Sequence, residues 1–189
     1  MATTIFRGDA PPVPQVVTLT PTVTNSATYT VTINGKEVSI DSDGSALAQE
    51  IVEAAQTALE ASTIPEFAEI TWTEDNAIVT ATGPDTGKPF TAADGGDSGT
   101  WTPSTTTAAS GPNHWKAANF SGGSLPANSD TVILSGNSTS VLYSLDQSAV
   151  TLALLDIRAD FEGEIGLPEI NVDDASNTYY EYRDTHLKI

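Results

Sequence analysis

The chain has 189 residues, 39% of them hydrophobic, which is enough apolar material for one large domain or two small ones. Only 17% are charged, and the 25 acidic residues outnumber the seven basic ones to give a net charge of −18. A surface of that sign repels phosphate backbones and anionic membranes, so neither nucleic acid nor membrane is an expected partner. No cysteine is present, which removes disulfides, thiol catalysis and zinc–thiolate sites.

Residues 1–27 read as an extended N-terminal arm. Pro11, Pro12 and Pro14 fix φ and remove N–H donors. Val16 to Val23 alternates apolar residues with Thr and Pro, as an arm reaching across a neighbouring subunit would. The first residues show no basic stretch leading into an apolar run, so no secretory signal is expected. No stretch is apolar enough to span a membrane.

Residues 28–92 carry the clearest local pattern. Tyr29, Val31 and Ile33 alternate with Thr28, Thr30 and Thr32, Asn34-Gly35 supplies a hairpin turn, and Val38 and Ile40 alternate on the return. A helix follows. Ser45 is its expected cap, and Leu47, Ile51, Ala54, Ala55, Ala58 and Leu59 form its apolar face. Pro65 bars its extension. Two more strands are expected, Glu69 to Thr73 and Ala77 to Thr82, with a turn at Asp75-Asn76. The order β-β-α-β-β predicts a small α+β docking module with the helix on one face of a sheet. Residues 93–113 read as a Gly/Ser/Thr-rich linker, in which Thr100-Trp101-Thr102 can form a short strand.

Residues 114–189 show short apolar runs between turns: Thr131 to Leu134, Val141 to Tyr143, Val150 to Ile157, Ile165 to Leu167 and Tyr179 to Tyr182. They predict a β-rich region, either a small sandwich or the start of a β-helix. Stacked coils need a cap or a partner to cover the last of them. Either Ile189 ends an edge strand, or the region is the N-terminal part of a longer solenoid. The fold class expected for the chain is mainly β with one helix.

Two segments resemble known families. Tyr29 to Lys36, the Ala-rich helix, Glu69 to Thr73, Val79 to Gly83 and Gly87 to Phe90 resemble a small module of bacteriophage virion and tail-associated proteins. Asn113-His114-Trp115, Asn119-Phe120, Leu125-Pro126 and Asp130-Thr131-Val132 resemble the opening motif of β-helical surface and fibre proteins. Phe120 stands where that motif usually has a second Trp. Physically, Trp115 and Phe120 can plug the open end of a first rung, and Pro126 can turn the chain into the strand at Thr131. The resemblance implies a non-enzymatic structural component of a phage particle. It would be a head decoration or a fibre base, with other capsid or tail proteins as partners and a homo-oligomer, preferably a trimer, as its state. The location implied is the virion, after synthesis in a host cytoplasm.

Little in the sequence points to catalysis. His114 and His186 are the only histidines, and neither sits in a nucleophile–base motif. Glu162, Glu164, Glu169, Asp173 and Asp174 are carboxylates of the type glycosidases pair, but they lie among turns. Asp94, Asp97, Asp173 and Asp174 are the oxygen donors a calcium ion would prefer. No phosphate-binding loop occurs, and no cofactor is expected. A carbohydrate- or receptor-binding module is the alternative, with Trp101, Tyr179, Tyr180 and Tyr182 (and Trp115) as stacking platforms, and a fragment of a glycan-degrading tailspike is a further one. Arg7-Gly8-Asp9 reads as a coincidence, and the glycosylation acceptor triplets at Asn119 and Asn137 are expected to be unused without a secretory signal.

Overall fold

In the computed structural model, which describes residues 2–166, ten strands follow one another. They are β1 (Thr3–Phe6), β2 (Val16–Thr22), β3 (Thr28–Ile33), β4 (Lys36–Asp41), β5 (Thr71–Asp75), β6 (Ile78–Thr82), β7 (Ala92–Asp94), β8 (Thr100–Thr107), β9 (Thr131–Leu134) and β10 (Leu154–Ile157). Helix α1 (Ala48–Glu60) and the single turn α2 (Pro65–Ala68) lie between β4 and β5. The chain is mainly β with one long helix. It divides into two compact units, one continuous over residues 14–109, the other joining residues 2–13 to the described residues from 110 onward. Val13 and Ser110, where the chain leaves and re-enters the second unit, exchange two backbone hydrogen bonds of 2.7 and 3.1 Å.

In the continuous unit the local signals decide the hairpins. Asn34 and Gly35 sit at φ +48° and +80°, as a tight turn between β3 and β4 requires, and Asn76 at φ +44° turns β5 into β6. The strands form two sheets, in the orders β4-β3-β7 and β5-β6-β2-β8. This corrects the single sheet expected from the sequence. The two hairpins do not pair with each other, because β7 takes the place beside β3 and β2 the place beside β6.

Helix α1 buries Ile51, Val52, Ala55 and Leu59. They join Leu19, Tyr29, Ile33, Phe67, Trp72 and Trp101 in one core. Leu47 and Ala54, expected on the buried face, are exposed, and Val52 takes part instead. Ser45 does not cap the helix. Its N–H and hydroxyl both turn to Asp43 Oδ1, and Glu50 Oε2 accepts the N–H of Leu47 at 3.1 Å to close the first turn. The outward face of the four-stranded sheet is largely threonine, with Thr73, Thr80, Thr18 and Ser104 in one row across it.

The expected boundaries move accordingly. Seven residues of the expected arm, β2, form a strand paired on both sides, with β6 and β8. Pro21 is tolerated there because β6 pairs only as far as Leu19. Residues 93–113 are not a free linker: they hold the end of β7 and all of β8, which pairs with β2 from Thr100 to Thr107.

The discontinuous unit is built by parallel pairing. Strands β1, β9 and β10 lie side by side in that order, all parallel. Thr131 pairs with Leu154, a step of 23 residues, and Val141 bridges in parallel to Ile165, a step of 24. A third parallel bridge, His114 to Tyr143, spans 29 residues; repeated parallel pairing at steps of this size means successive coils stack on one another, as in a β-helix, whereas a sandwich would pair its strands antiparallel. Like positions therefore stack. Phe6, Leu134 and Ile157 are in register, as are Thr4, Val132 and Leu155. Phe6, Trp115, Phe120, Val132, Leu134, Val141 and Leu145 make the interior of this unit. The strand expected at Tyr179 to Tyr182 lies outside the described residues.

Candidate functional site

The two ends of the coiled unit differ, and the difference begins with Asn119. Its side chain is fully buried. Oδ1 accepts the N–H of Ala10 at 2.9 Å, and Nδ2 donates to the carbonyls of Gly111 and His114, each at 2.8 Å. One amide thus ties the N-terminal segment to the loop that opens the coils. Arg7 N–H donates to the Asn119 carbonyl at 2.7 Å. Beside it Ser121 closes the outer edge of β1: its N–H donates to Ile5 O at 2.9 Å and its Oγ accepts Ile5 N–H at 3.0 Å.

Aromatic packing seals this end. Phe6 lies edge-on to Phe120, with ring centres 5.6 Å apart, and Phe120 edge-on to Trp115 at 5.0 Å. Phe6, Trp115 and Phe120 are all nearly or fully buried. Gly8, at φ +62°, lets the chain turn after β1; a Cβ there would lie 2.5 Å from Thr139 Cγ2. Asp130 fixes the entry to β9. Its Oδ1 accepts the N–H of Ala2 at 2.6 Å and Oδ2 that of Ala127 at 3.0 Å, and these backbone donors hold its pKa below the ordinary value.

At the other end the described residues stop one coil after β9. Among the described residues no strand pairs with the outer edge of β10. Ile157 occupies the same inward position as Phe6 and Leu134, both 0% exposed, yet is itself 53% exposed. Leu155, Phe161 and Ile165 are only partly buried against the interior. Leu154, on the outward face, is 54% exposed.

The structure sorts the residues singled out from the sequence. Trp115 and Phe120 come together and pack with Phe6, a partner that the sequence did not indicate. Trp101 is corrected as a stacking platform: it is 2% exposed and meets Tyr29 edge-on at 5.6 Å, so it offers no face to a ligand. Trp115 is equally enclosed. Tyr179, Tyr180, Tyr182, Glu169, Asp173, Asp174 and His186 lie outside the described residues.

Glu162 and Glu164 are exposed. Asp94 Oδ1 accepts the N–H of Trp101 at 3.0 Å, and an oxygen of Asp97 accepts the hydroxyl of Thr30. Among the described residues no three His, Asp or Glu side chains gather as metal ligands would. His114 is buried, its ring 5.0 Å from that of Tyr143 and its Nδ1 3.4 Å from Ser144 Oγ. Arg7 and Asp9 are exposed on either side of Gly8. Asn119, an acceptor triplet by sequence, has no face open to a glycosylating enzyme. Among the described residues no helix is long and apolar enough to cross a membrane.

The signal that could have found Asn119 was present, since the motif resembling β-helical proteins includes it; its partner Ala10, more than a hundred residues away, was not visible. No protein-family model matches the chain, and no curated protein matches it in sequence.

Proposed function

We propose that the chain is a non-enzymatic structural component of a bacteriophage particle, a surface decoration protein or fibre base. The observation that carries the reading is the asymmetry of the coiled unit. One end is closed by Asn119, Trp115, Phe120 and Phe6, while at the other no strand among the described residues pairs with the outer edge of β10. Such an element starts a stack of coils from a sealed end, as the base of a fibre or a surface part of a larger particle requires. The phage assignment itself rests on the sequence resemblance of residues 29–90 and 113–132. The net charge of −18 suits a component held at high local concentration, since like-charged surfaces stay apart.

Of the aromatics a glycan-binding module would use, Trp101 and Trp115 support this reading instead. A stacking platform needs an exposed ring, and Trp101 and Trp115 are enclosed. The test is to purify particles from a host that carries the gene and measure their protein content by mass spectrometry. The chain should be present in fixed ratio to the major shell protein. Its absence from washed particles would overturn the proposal.

A further inference from the structure

Asparagine is thermolabile because the backbone nitrogen that follows it can attack its side-chain amide. Three local features govern that attack: the bulk of the next residue, the freedom of its N–H, and the partners of the amide. Most asparagines here are blocked. After Asn25, Asn76, Asn113, Asn119 and Asn128 the next backbone N–H already donates to a carbonyl, as Ser129 does to Thr151 O at 2.8 Å. Asn137 is held at both ends of its amide, Nδ2 donating to Phe6 O at 3.0 Å and Oδ1 accepting the N–H of Thr139 at 3.1 Å.

Asn34 differs on every count. Gly35 follows it, exposed and with no side chain to obstruct the attack. A Cβ at Gly35 would meet nothing within 4 Å, so nothing crowds this side of the turn. No backbone carbonyl among the described residues accepts the Gly35 N–H. Asn34 Nδ2, the group that would leave, is buried without a hydrogen-bond partner, so its departure breaks none. What opposes the reaction is Oδ1. It accepts the N–H of Thr91 at 2.8 Å and the Thr91 hydroxyl at 3.1 Å, while Asn34 N–H donates to Thr91 O at 3.1 Å. The side chain thus stands in for a backbone carbonyl and extends the β3–β7 ladder one step beyond the Ile33–Ala92 pair.

We propose that Asn34 is a self-modifying site: it deamidates through Gly35, Thr91 sets the rate, and the product releases the start of β7 from the β3–β4 turn. Gly35 N gives its proton to solvent and bonds to Asn34 Cγ. The Cγ–Nδ2 bond breaks, and Nδ2 takes a proton and leaves as ammonia. Water then opens the cyclic imide. Opening at Cγ leaves aspartate; opening at the backbone carbonyl routes the chain through Cγ and adds a methylene to the turn. A tight turn with its two residues at φ +48° and +80° has no room for an extra backbone atom, so that product loses its place against Thr91. Ring closure needs the amide to turn from Thr91 toward Gly35 N, which opens both Oδ1 hydrogen bonds. At ordinary strength the pair slows the reaction by about tenfold or more relative to a free chain. The site is independent of the particle assignment.

The test incubates the full chain and a synthetic peptide of residues 29–40 in mildly alkaline buffer, and follows each asparagine by mass spectrometry of digests. Asn34 should convert before every other asparagine of residues 2–166, and about tenfold or more slower than in the peptide. Thr91→Ala removes the hydroxyl bond and should speed Asn34 by about fivefold while leaving Asn137 unchanged. Thr91→Ser keeps the hydroxyl and should stay slow. In the aged chain the Thr91 amide should exchange with solvent faster than in the fresh one.

Earlier conversion of another asparagine of residues 2–166 would overturn the site. A peptide-like rate at Asn34 in the full chain, or an unchanged rate in Thr91→Ala, would overturn the hold by Thr91. Unchanged exchange at Thr91 in the aged chain would overturn the release of β7. A Thr91→Ala chain that simply unfolds would speed Asn137 as well, and the comparison of full chain with peptide then decides.

Discussion

Asn119 shows how one side chain converts a proline-marked terminal segment into part of a fold. Its three hydrogen bonds satisfy one N–H and two carbonyls in a place without solvent. Replacing it with Ala removes the amide and leaves those backbone groups buried and unpaired, at a cost of about 1–3 kcal/mol for each one that finds no substitute. Asn119→Ala should therefore destabilise the coiled unit by about 3 kcal/mol, measured by hydrogen exchange at Ala10 and along β9. An unchanged exchange rate at Ala10 would mean that the N-terminal segment is held by other contacts. Asp130 acts through charge. Its folded pKa is lowered from 3.8 by the N–H groups of Ala2 and Ala127. A depressed carboxylate stabilises the fold above its unfolded pKa, and that contribution disappears as pH falls through the lower folded value. Acid titration should release Ala2 and Ala127 together below about pH 4. In Asp130→Asn, protection of the same amides should be weaker at neutral pH and independent of pH across that range.

At the scale of elements, β1 is the strand whose loss is easiest to foresee. Phe6 is fully buried among Trp115, Phe120 and Leu134, and β1 holds to the coils through β9 on one side and through Phe120 and Ser121 on the other, with Asn137 Nδ2 donating to Phe6 O at 3.0 Å. Truncation of a buried Phe costs about 3–5 kcal/mol. Phe6→Ala should therefore free β1 from β9, exposing the amides of β9 on that edge while those facing β10 stay protected. Loss of both sets together would show that β1 is needed for the coils to form at all. The sequence made β3, β4, β5, β6 and α1 legible, because their signals are local: alternation, Asn34-Gly35, Asp75-Asn76 and the helical spacing of Ile51, Ala55 and Leu59. It hid β1, the role of β2 and the length of β8, because what makes them strands is a partner far away. Thr3 pairs with Thr131 and Thr22 with Thr100. Thr-rich and Pro-containing segments carry little burial pattern of their own, so composition read them as arm and linker. The site was legible in part. The motif that resembles β-helical proteins singled out Trp115 and Phe120, while the exposure of Ile157 follows from its place in the last described coil and leaves no mark in its own sequence neighbourhood.

At the scale of the whole molecule, the 96 residues from 14 to 109 are an insertion between β1 and the rest of the coiled unit. Pairing β1 with β9 closes a loop through that insertion. If the insertion were unfolded, the closure would span the full length; folded, it presents neighbouring ends at Val13 and Ser110. With closure entropy growing as the logarithm of loop length, shortening a span of that size to a few residues is worth about 3 kcal/mol. The folded insertion therefore supports the coils by keeping that closure short. Two constructions separate these contributions. Leu19→Asp puts a charge into the core of residues 14–109 and should unfold them, with a further loss of about 3 kcal/mol in the coiled unit, read as faster exchange across β1 and β9. Replacing residues 14–109 by a four-residue Gly/Ser bridge from Val13 to Ser110 should keep that protection. Protection surviving Leu19→Asp, with residues 14–109 confirmed unfolded by the exposure of Trp72 and Trp101, would show that β1 binds β9 strongly enough to bear the longer closure. Loss of protection in the bridged chain would show that the insertion holds Val13 and Ser110 in a geometry that proximity alone does not reproduce.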